Sequence, residues 1–240
     1  MLALWPRSGV DTHSVATLDP TEILELYRRG WFPMAGPEGT DVEIWNPDPR
    51  AIFPLEGDAP TGGLRVSRSL ARTVRRQRFE IVASRDPMAV VVECARTRPG
   101  RDDTWIASRM LGLYESLHAA GRLESIEAYL EFDGQRTLAG GLFGVCVGGL
   151  FAAESMFTAF ETGARDASSV CLVHLVVHLR AMGFGLLDLQ FANPHTERFG
   201  VVEIPRGEYL QRLAREIDRA ALVDGFDASR AVSACSRAES

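Results

Sequence analysis

The sequence predicts an α+β fold, and three observations lead there. Residues 125–157 carry alternating or apolar runs separated by turn signals at Asp133-Gly134 and Gly148-Gly149, the pattern of antiparallel strands joined by tight turns. Residues 167–182 are apolar on almost every side and stop at Gly183, as a helix enclosed by a core must be. A short apolar run from Leu186 to Phe191 comes directly after it, so strands, a buried helix and a further strand share one layered body.

The first helix opens at Asp19-Pro20-Thr21-Glu22, which supplies an N-cap, a proline at the first helical position and a carboxylate three residues past the cap. Ile23, Leu24 and Tyr27 make its apolar face, and Gly30 is its stop signal. A proline-rich connection follows, including Trp45-Asn46-Pro47-Asp48-Pro49-Arg50, and prolines and glycines continue to Gly63, which places a boundary near residue 64. A second helix is expected from Ser67 to about Arg76, and a third opens at Asp86-Pro87. The fourth runs from Ser108 to His118 with Met110, Leu113, Tyr114 and Leu117 on one face. Strands are expected at Ser125 to Phe132, Leu138 to Val145 and Leu150 to Phe157. Tyr209, Leu210, Leu213 and Ile217 give a last amphipathic helix. The resulting division is a small N-terminal domain at 1–64, a larger domain at 65–222 and a disordered tail at 223–240.

Composition narrows the classes. With 46% apolar and 24% charged residues, the chain has the balance of a globular protein. Its apolar stretches are interrupted well before the ~18 residues of a membrane span. Residues 1–17 lack a basic segment followed by a sustained apolar one, so no secretion signal is expected. Cys94, Cys146, Cys171 and Cys235 stand at unrelated spacings without a C-x-x-C pair; reduced thiols of a cytoplasmic protein fit them better than disulfides or a zinc site. The net charge of −6 disfavours polyanion binding over the whole surface, yet a local basic patch is sufficient for it.

Such a patch is visible between Ser67 and Arg78. At about 100° per residue, Arg68, Arg72, Arg75 and Arg76 share one sector of a helix, with Leu70 and Val74 opposite. Like charges stacked in this way repel one another, and no acidic residue stands within the stripe. A phosphate backbone is the natural partner; a solvated face paired with acids elsewhere in the chain is the alternative.

Glu154 and Asp188 stand inside predicted core strands. A carboxylate buried alone is costly, so each must meet a cation or hydrogen-bond donors, or border a cleft. A structural pair with an arginine is one outcome. The other is a pocket for an apolar side chain beside an amine, walled by Leu142, Phe151, Met156, Leu172, Leu179 and Leu187. His174 and His178 are spaced i,i+4, but no third ligand accompanies them, so core histidines are favoured and no metal is expected. Ser155 follows an acid and makes no G-x-S-x-G elbow. The order of strand, helix and strand resembles that of acetyltransferase-like (GNAT) domains. A coenzyme A enzyme of that kind should carry a [QR]-x-x-G-x-[GA] loop, and Phe160 stands where its Gln or Arg belongs.

Short segments in fixed order carry a closer likeness. They are 27–33 (YRRGWFP), 45–50 (WNPDPR), 66–70 (VSRSL), 104–106 (TWI), 154–157 (ESMF), 187–190 (LDLQ), 193–196 (NPHT), Gly200 and 203–206 (EIPR). Together they resemble the leucyl/phenylalanyl-tRNA–protein transferase family over about residues 20–214. The resemblance implies a small N-terminal domain on a GNAT-like catalytic domain. It implies transfer of Leu or Phe from aminoacyl-tRNA to proteins beginning with Arg or Lys, marking them for degradation, by a cytoplasmic monomer without cofactor. It assigns Arg68, Arg72, Arg75 and Arg76 to tRNA, and Asp188, Gln190 and Glu154 to the catalytic centre. Leu142, Phe151, Met156, Leu172, Leu179 and Leu187 become the amino-acid pocket, with Trp105 and Tyr114 shaping the acceptor-end site. On this reading Asp188, oriented with Gln190, draws and deprotonates the incoming amine, and Glu154 binds its ammonium or basic side chain. Acetyl-CoA-dependent transfer, or a paralogue that binds tRNA or peptide without transfer, are the competing readings. Departures from the family pattern bear on the choice: Met34 replaces a tryptophan, Ala159 and Ser169 replace cations, and Leu179 replaces a bulkier aromatic.

Overall fold

The computed structural model describes residues 10–15, 19–36, 41–56, 63–97, 104, 106–221 and 224–237. The chain opens with β1 (Val10–Val15), α1 (Pro20–Arg28), β2 (Phe32–Ala35), β3 (Val42–Pro47) and β4 (Arg50–Phe53). It continues with α2 (Arg68–Arg75), β5 (Glu80–Ala83), α3 (Pro87–Ala95), α4 (Ser108–Ala119), β6 (Leu123–Phe132), β7 (Gln135–Val147) and β8 (Leu150–Thr158). Then come α5 (Ala167–Ala181), β9 (Leu186–Gln190), α6 (Pro194–Glu197), β10 (Val202–Ile204), α7 (Arg206–Glu216) and α8 (Ser229–Arg237). The α+β class is as expected: a mixed seven-stranded sheet, ordered β10-β4-β9-β8-β7-β6-β5, accompanies a three-stranded sheet, β1-β3-β2.

Local chemistry explains the elements. The side chain of Asp19 accepts from the Glu22 N–H at 2.9 Å, and Glu22 accepts in return from the Asp19 N–H at 2.9 Å, a reciprocal cap. At Gly30 φ is +83°, a left-handed conformation that glycine adopts without strain, and a Cβ there would also push aside the end of the Leu210 side chain. Helix α5 is buried along almost its whole length, which accounts for its lack of a polar face. One side of the large sheet packs on α5, with α2 and α8 outside it; the other side packs on α3 and α4.

Two expectations change. The boundary near residue 64 does not separate the sheets, because β4 pairs with β9 and β10 inside the large sheet. Proline and glycine density there marks a crossing chain that enters the main sheet before leaving it. The segment from 223 is not a disordered tail throughout, since residues 229–237 form α8. Its buried anchors are Ala231, Ala234 and Cys235, side chains too small to raise a strong apolar signal in a polar stretch.

Candidate active site

The site begins where two parallel strands part. β8 and β9 pair at Leu150↔Leu186, Phe151↔Leu187 and Ala152↔Asp188 and no further. Beyond that last pair the two strands part from each other, β8 remaining paired with β7 and β9 with β4, which brings Glu154 from β8 and Gln190 from β9 to the walls of a cavity of about 270 Å³. Phe32, Pro33 and Met34 of β2 close one side, while Leu142, Met156, Leu172 and Leu189 supply apolar wall. Asn193, His195 and Thr196 border it from α6 and its cap. The N-terminal segment thus completes a pocket framed by the large sheet.

Glu154 is held by two phenols. Tyr27 donates to its Oε1 at 2.8 Å and Tyr114 to its Oε2 at 2.9 Å, while the Gln190 amide lies 3.5 Å from Oε1. Burial pushes the Glu154 carboxyl up to about 7, against the two tyrosine hydrogen bonds that stabilise its charge, and among the described residues no cation bonds to it directly. The same burial raises the phenols of Tyr27 and Tyr114 well above the ordinary tyrosine value, so both remain donors.

Asp188 has the opposite environment. It is wholly buried and does not line the cavity. Arg50, also wholly buried, grips it with two parallel hydrogen bonds of 2.9 and 2.6 Å, the bidentate geometry that suits a guanidinium to a carboxylate. Tyr209 donates to Asp188 Oδ2 at 2.9 Å, and the Gln190 N–H donates to Oδ1 at 2.9 Å. The Arg50 guanidinium also donates to the Gly30 carbonyl at 3.0 Å and lies between the rings of Phe32 and Tyr209. Burial disfavours its charge, yet Asp188 holds its pKa above the usual arginine value. The expectation that Asp188 meets an amine directly is therefore corrected: every direction from this carboxylate is occupied by protein. Its visible work is on Gln190, whose backbone takes a left-handed conformation at φ 60°, a state costing a non-glycine residue about 1 kcal/mol. The bond from the Gln190 N–H to Asp188 supports that turn.

The predicted pocket residues divide. Leu142, Met156 and Leu172 line the cavity, and Tyr114 reaches it through Glu154. Phe151, Leu179 and Leu187 lie in the core behind it, because their alternation or helical position turns them inward. Met34 does line it. Trp105 lies outside the described residues. Ala159 is buried at the end of β8, and Ser169 lies one turn of α5 from Leu172. Sequence reasoning places Tyr27 and Tyr209 only on apolar helix faces and gives neither them nor Arg50 a role in the site. Tyr27 and Arg50 stand in segments already singled out, Arg50 closing the 45–50 stretch, and a buried Asp188 requires a cation that only tertiary structure identifies.

On α2, Arg68, Arg72 and Arg76 are exposed and make no ion pair among the described residues. Arg75 differs: it is half-buried and donates to the Cys235 carbonyl of α8 at 3.3 Å. His174 and His178 face the ring of Phe226, and burial pulls His174 down to about 4, the state of a core histidine.

Comparison with known proteins points to one family. The model for leucyl/phenylalanyl-tRNA protein transferase matches residues 59–214. Among relatives of that name, the protein of Rubrobacter xylanophilus is 45% identical over 205 residues, 85% of this chain and 98% of its own. That of Rhodopseudomonas palustris is 45% identical over 200 residues, 83% of each chain. That of Maricaulis maris is 42% identical over 218 residues, 88% of this chain and 94% of its own. A family match and relatives of this identity across most of both chains leave one assignment: the chain belongs to the leucyl/phenylalanyl-tRNA protein transferase family.

Proposed function

We propose that the protein moves leucine or phenylalanine from aminoacyl-tRNA to an N-terminal arginine or lysine of acceptor proteins, marking them for degradation in the cytoplasm. The observation that carries this reading is the cleft at the strand split. At about 270 Å³ it lies below the ~300–1,000 Å³ of sites for drug-sized ligands, a size suited to one apolar amino-acid side chain. Its polar end is a carboxylate poised near neutrality.

The transfer forms one amide bond and breaks one ester bond. The acceptor's α-amine nitrogen attacks the ester carbonyl carbon, the C–O bond to the terminal ribose breaks, the amine loses a proton and the ribose hydroxyl gains one. An α-amine of pKa about 7.7–8.0 needs only mild base help. We assign that help to Glu154, whose two oxygens are oriented by Tyr27 and Tyr114. Gln190 orients the reacting groups, and Asp188 with Arg50 is a positioning pair that holds Gln190 in its left-handed turn. Arg68, Arg72 and Arg76 attract tRNA phosphates, with Arg75 contributing less because it is engaged with α8. The strand split beside α5 supports a GNAT-like catalytic domain, which we take to act as a monomer.

The direct experiment mixes purified protein with Leu-tRNA or Phe-tRNA and an arginine-initiated peptide. Leucyl- or phenylalanyl-peptide is the expected product. Absence of transfer by the wild-type protein removes the proposal, and product from acetyl-CoA without tRNA replaces it.

A further inference from the structure

A second cleft, of about 410 Å³, opens beside the first. Two helices start at its walls: α2 through Ser67 and Ser69, and α5 through Asp166 and Ser169. Neither helix carries an acidic residue in its first turn; the Leu70 N–H of α2 is taken by Ser67 Oγ and the Ser168 N–H of α5 by Thr158 Oγ1, which leaves the other first-turn N–H groups for a ligand. Helix starts present N–H groups and a partial positive charge that favour an anion. Arg65 and Arg198 border the same space, both exposed, and neither forms an ion pair among the described residues. Arg198 Nη2 approaches His195 Nδ1 at 2.9 Å, which leaves its other donors open. A separate feature points to a ligand. Ser169 is only 3% exposed, lines the cleft and has no side-chain hydrogen bond among the described residues. A serine this buried, bordering a cleft and without a protein partner for its hydroxyl among the described residues, is placed to meet a ligand there.

The cleft adjoins the first along two elements. On α5, Ser169 lines this cleft and Leu172 the amino-acid cavity, one turn apart; His195 lines the cavity and Arg198 this cleft. We propose that the second cleft seats a phosphodiester of the tRNA's 3′-terminal segment, with Arg65 and Arg198 pairing its oxygens and the two helix starts and Ser169 donating to them. The proposal rests on the transferase reading above, since it makes this phosphate the one that registers the esterified end in the cavity. Asp166 is the opposing group: its carboxylate borders the cleft and weakens anion binding there.

The test is a double-mutant cycle with full-length protein and a fluorescent CCA-ended acceptor-stem RNA. In a second RNA, neutral methylphosphonates replace the last three phosphodiesters. Arg198→Gln is expected to weaken binding of the ordinary RNA about tenfold and to make log K against log salt shallower by about one. On the neutral RNA it should bind as wild type does. Asp166→Asn, which keeps a residue tolerant of the left-handed conformation at φ 63°, should tighten the ordinary RNA. Equal losses on both RNAs, or no loss on either, overturn the proposal. Displacement of the RNA by acetyl-CoA in an Arg198-dependent manner also overturns it, in favour of a coenzyme phosphate. Arg198-dependent RNA binding without transfer by the wild type removes the transferase reading alone. Transfer with an unchanged KM for tRNA in Arg198→Gln removes the phosphate seat alone.

Discussion

Behind β9 the protein balances its charges internally; in front of β9 and along α2 it leaves them open. Arg50 and Asp188 are both wholly buried and close on each other. Among the described residues, Glu154, one strand away, receives phenol hydrogens but no bonded cation, and the exposed arginines of α2 have no carboxylate. Identical residue types therefore serve two ends. A charge whose counterion is covalently part of the fold shapes the fold; a charge without one is available to a ligand.

Breaking the closed region should have the largest effect. Asp188→Ala strands a buried guanidinium, and removal of one partner of a buried pair costs about 3–5 kcal/mol. Urea unfolding should register that loss, and transfer should fall with it because Gln190 loses its backbone anchor. Arg50→Met combined with Asp188→Leu is expected to recover much of the stability while transfer stays low. A single Asp188→Ala as stable as wild type would show that the pair is not what closes this layer.

The open carboxylate should behave differently. Glu154→Gln keeps the shape and most hydrogen bonds, so stability at neutral pH should change little, while kcat is expected to fall about a hundredfold. The pH dependence adds a second readout for Glu154. Burial holds the folded Glu154 carboxyl at about 7, above the ordinary glutamate value of 4.5. Between those values the folded state holds a proton that the unfolded chain has lost, so stability rises as pH falls through that window and levels off below it. The slope is at most about 1.4 kcal/mol per pH unit. Glu154→Gln should erase that slope along with an acid limb in kcat near pH 7. Tyr27→Phe, which deletes a bond to the charged form, should move the limb upward and lower kcat at neutral pH several-fold; an unmoved limb would reassign it to another group.

The difference between closed and open charge was only partly readable along the chain. Helix starts were legible because Asp19 and Ser67 act on their own first turns, and the arginine face followed from helical period alone. The partner of Asp188 was not, since Arg50 lies on a distant strand and joins it only through β4–β9 pairing. Nor was the division among apolar residues: Leu172 and Leu179 belong to one buried helix, and the strand split decides which meets the cavity. α8 was missed because alanine and cysteine bury little apolar area each.

The smallest expected effects lie on α2, where the comparison can be made within one helix. Arg72 is exposed and opens to solvent; Arg75, three residues on, donates to the Cys235 carbonyl of α8. If open charge is what recruits tRNA, Arg72→Gln should raise KM for tRNA several-fold at low salt, leave kcat and stability unchanged, and lose its effect as salt screens the phosphates. Arg75→Gln should shift KM less and instead destabilise the protein by about 0.5–1.5 kcal/mol, the worth of one hydrogen bond. Steady-state kinetics across a salt series, with urea unfolding of the same two variants, measures both. Equal KM shifts with no loss of stability in either would mean that α8 does not engage Arg75 in solution, and that all four arginines of the stripe face the polyanion alike.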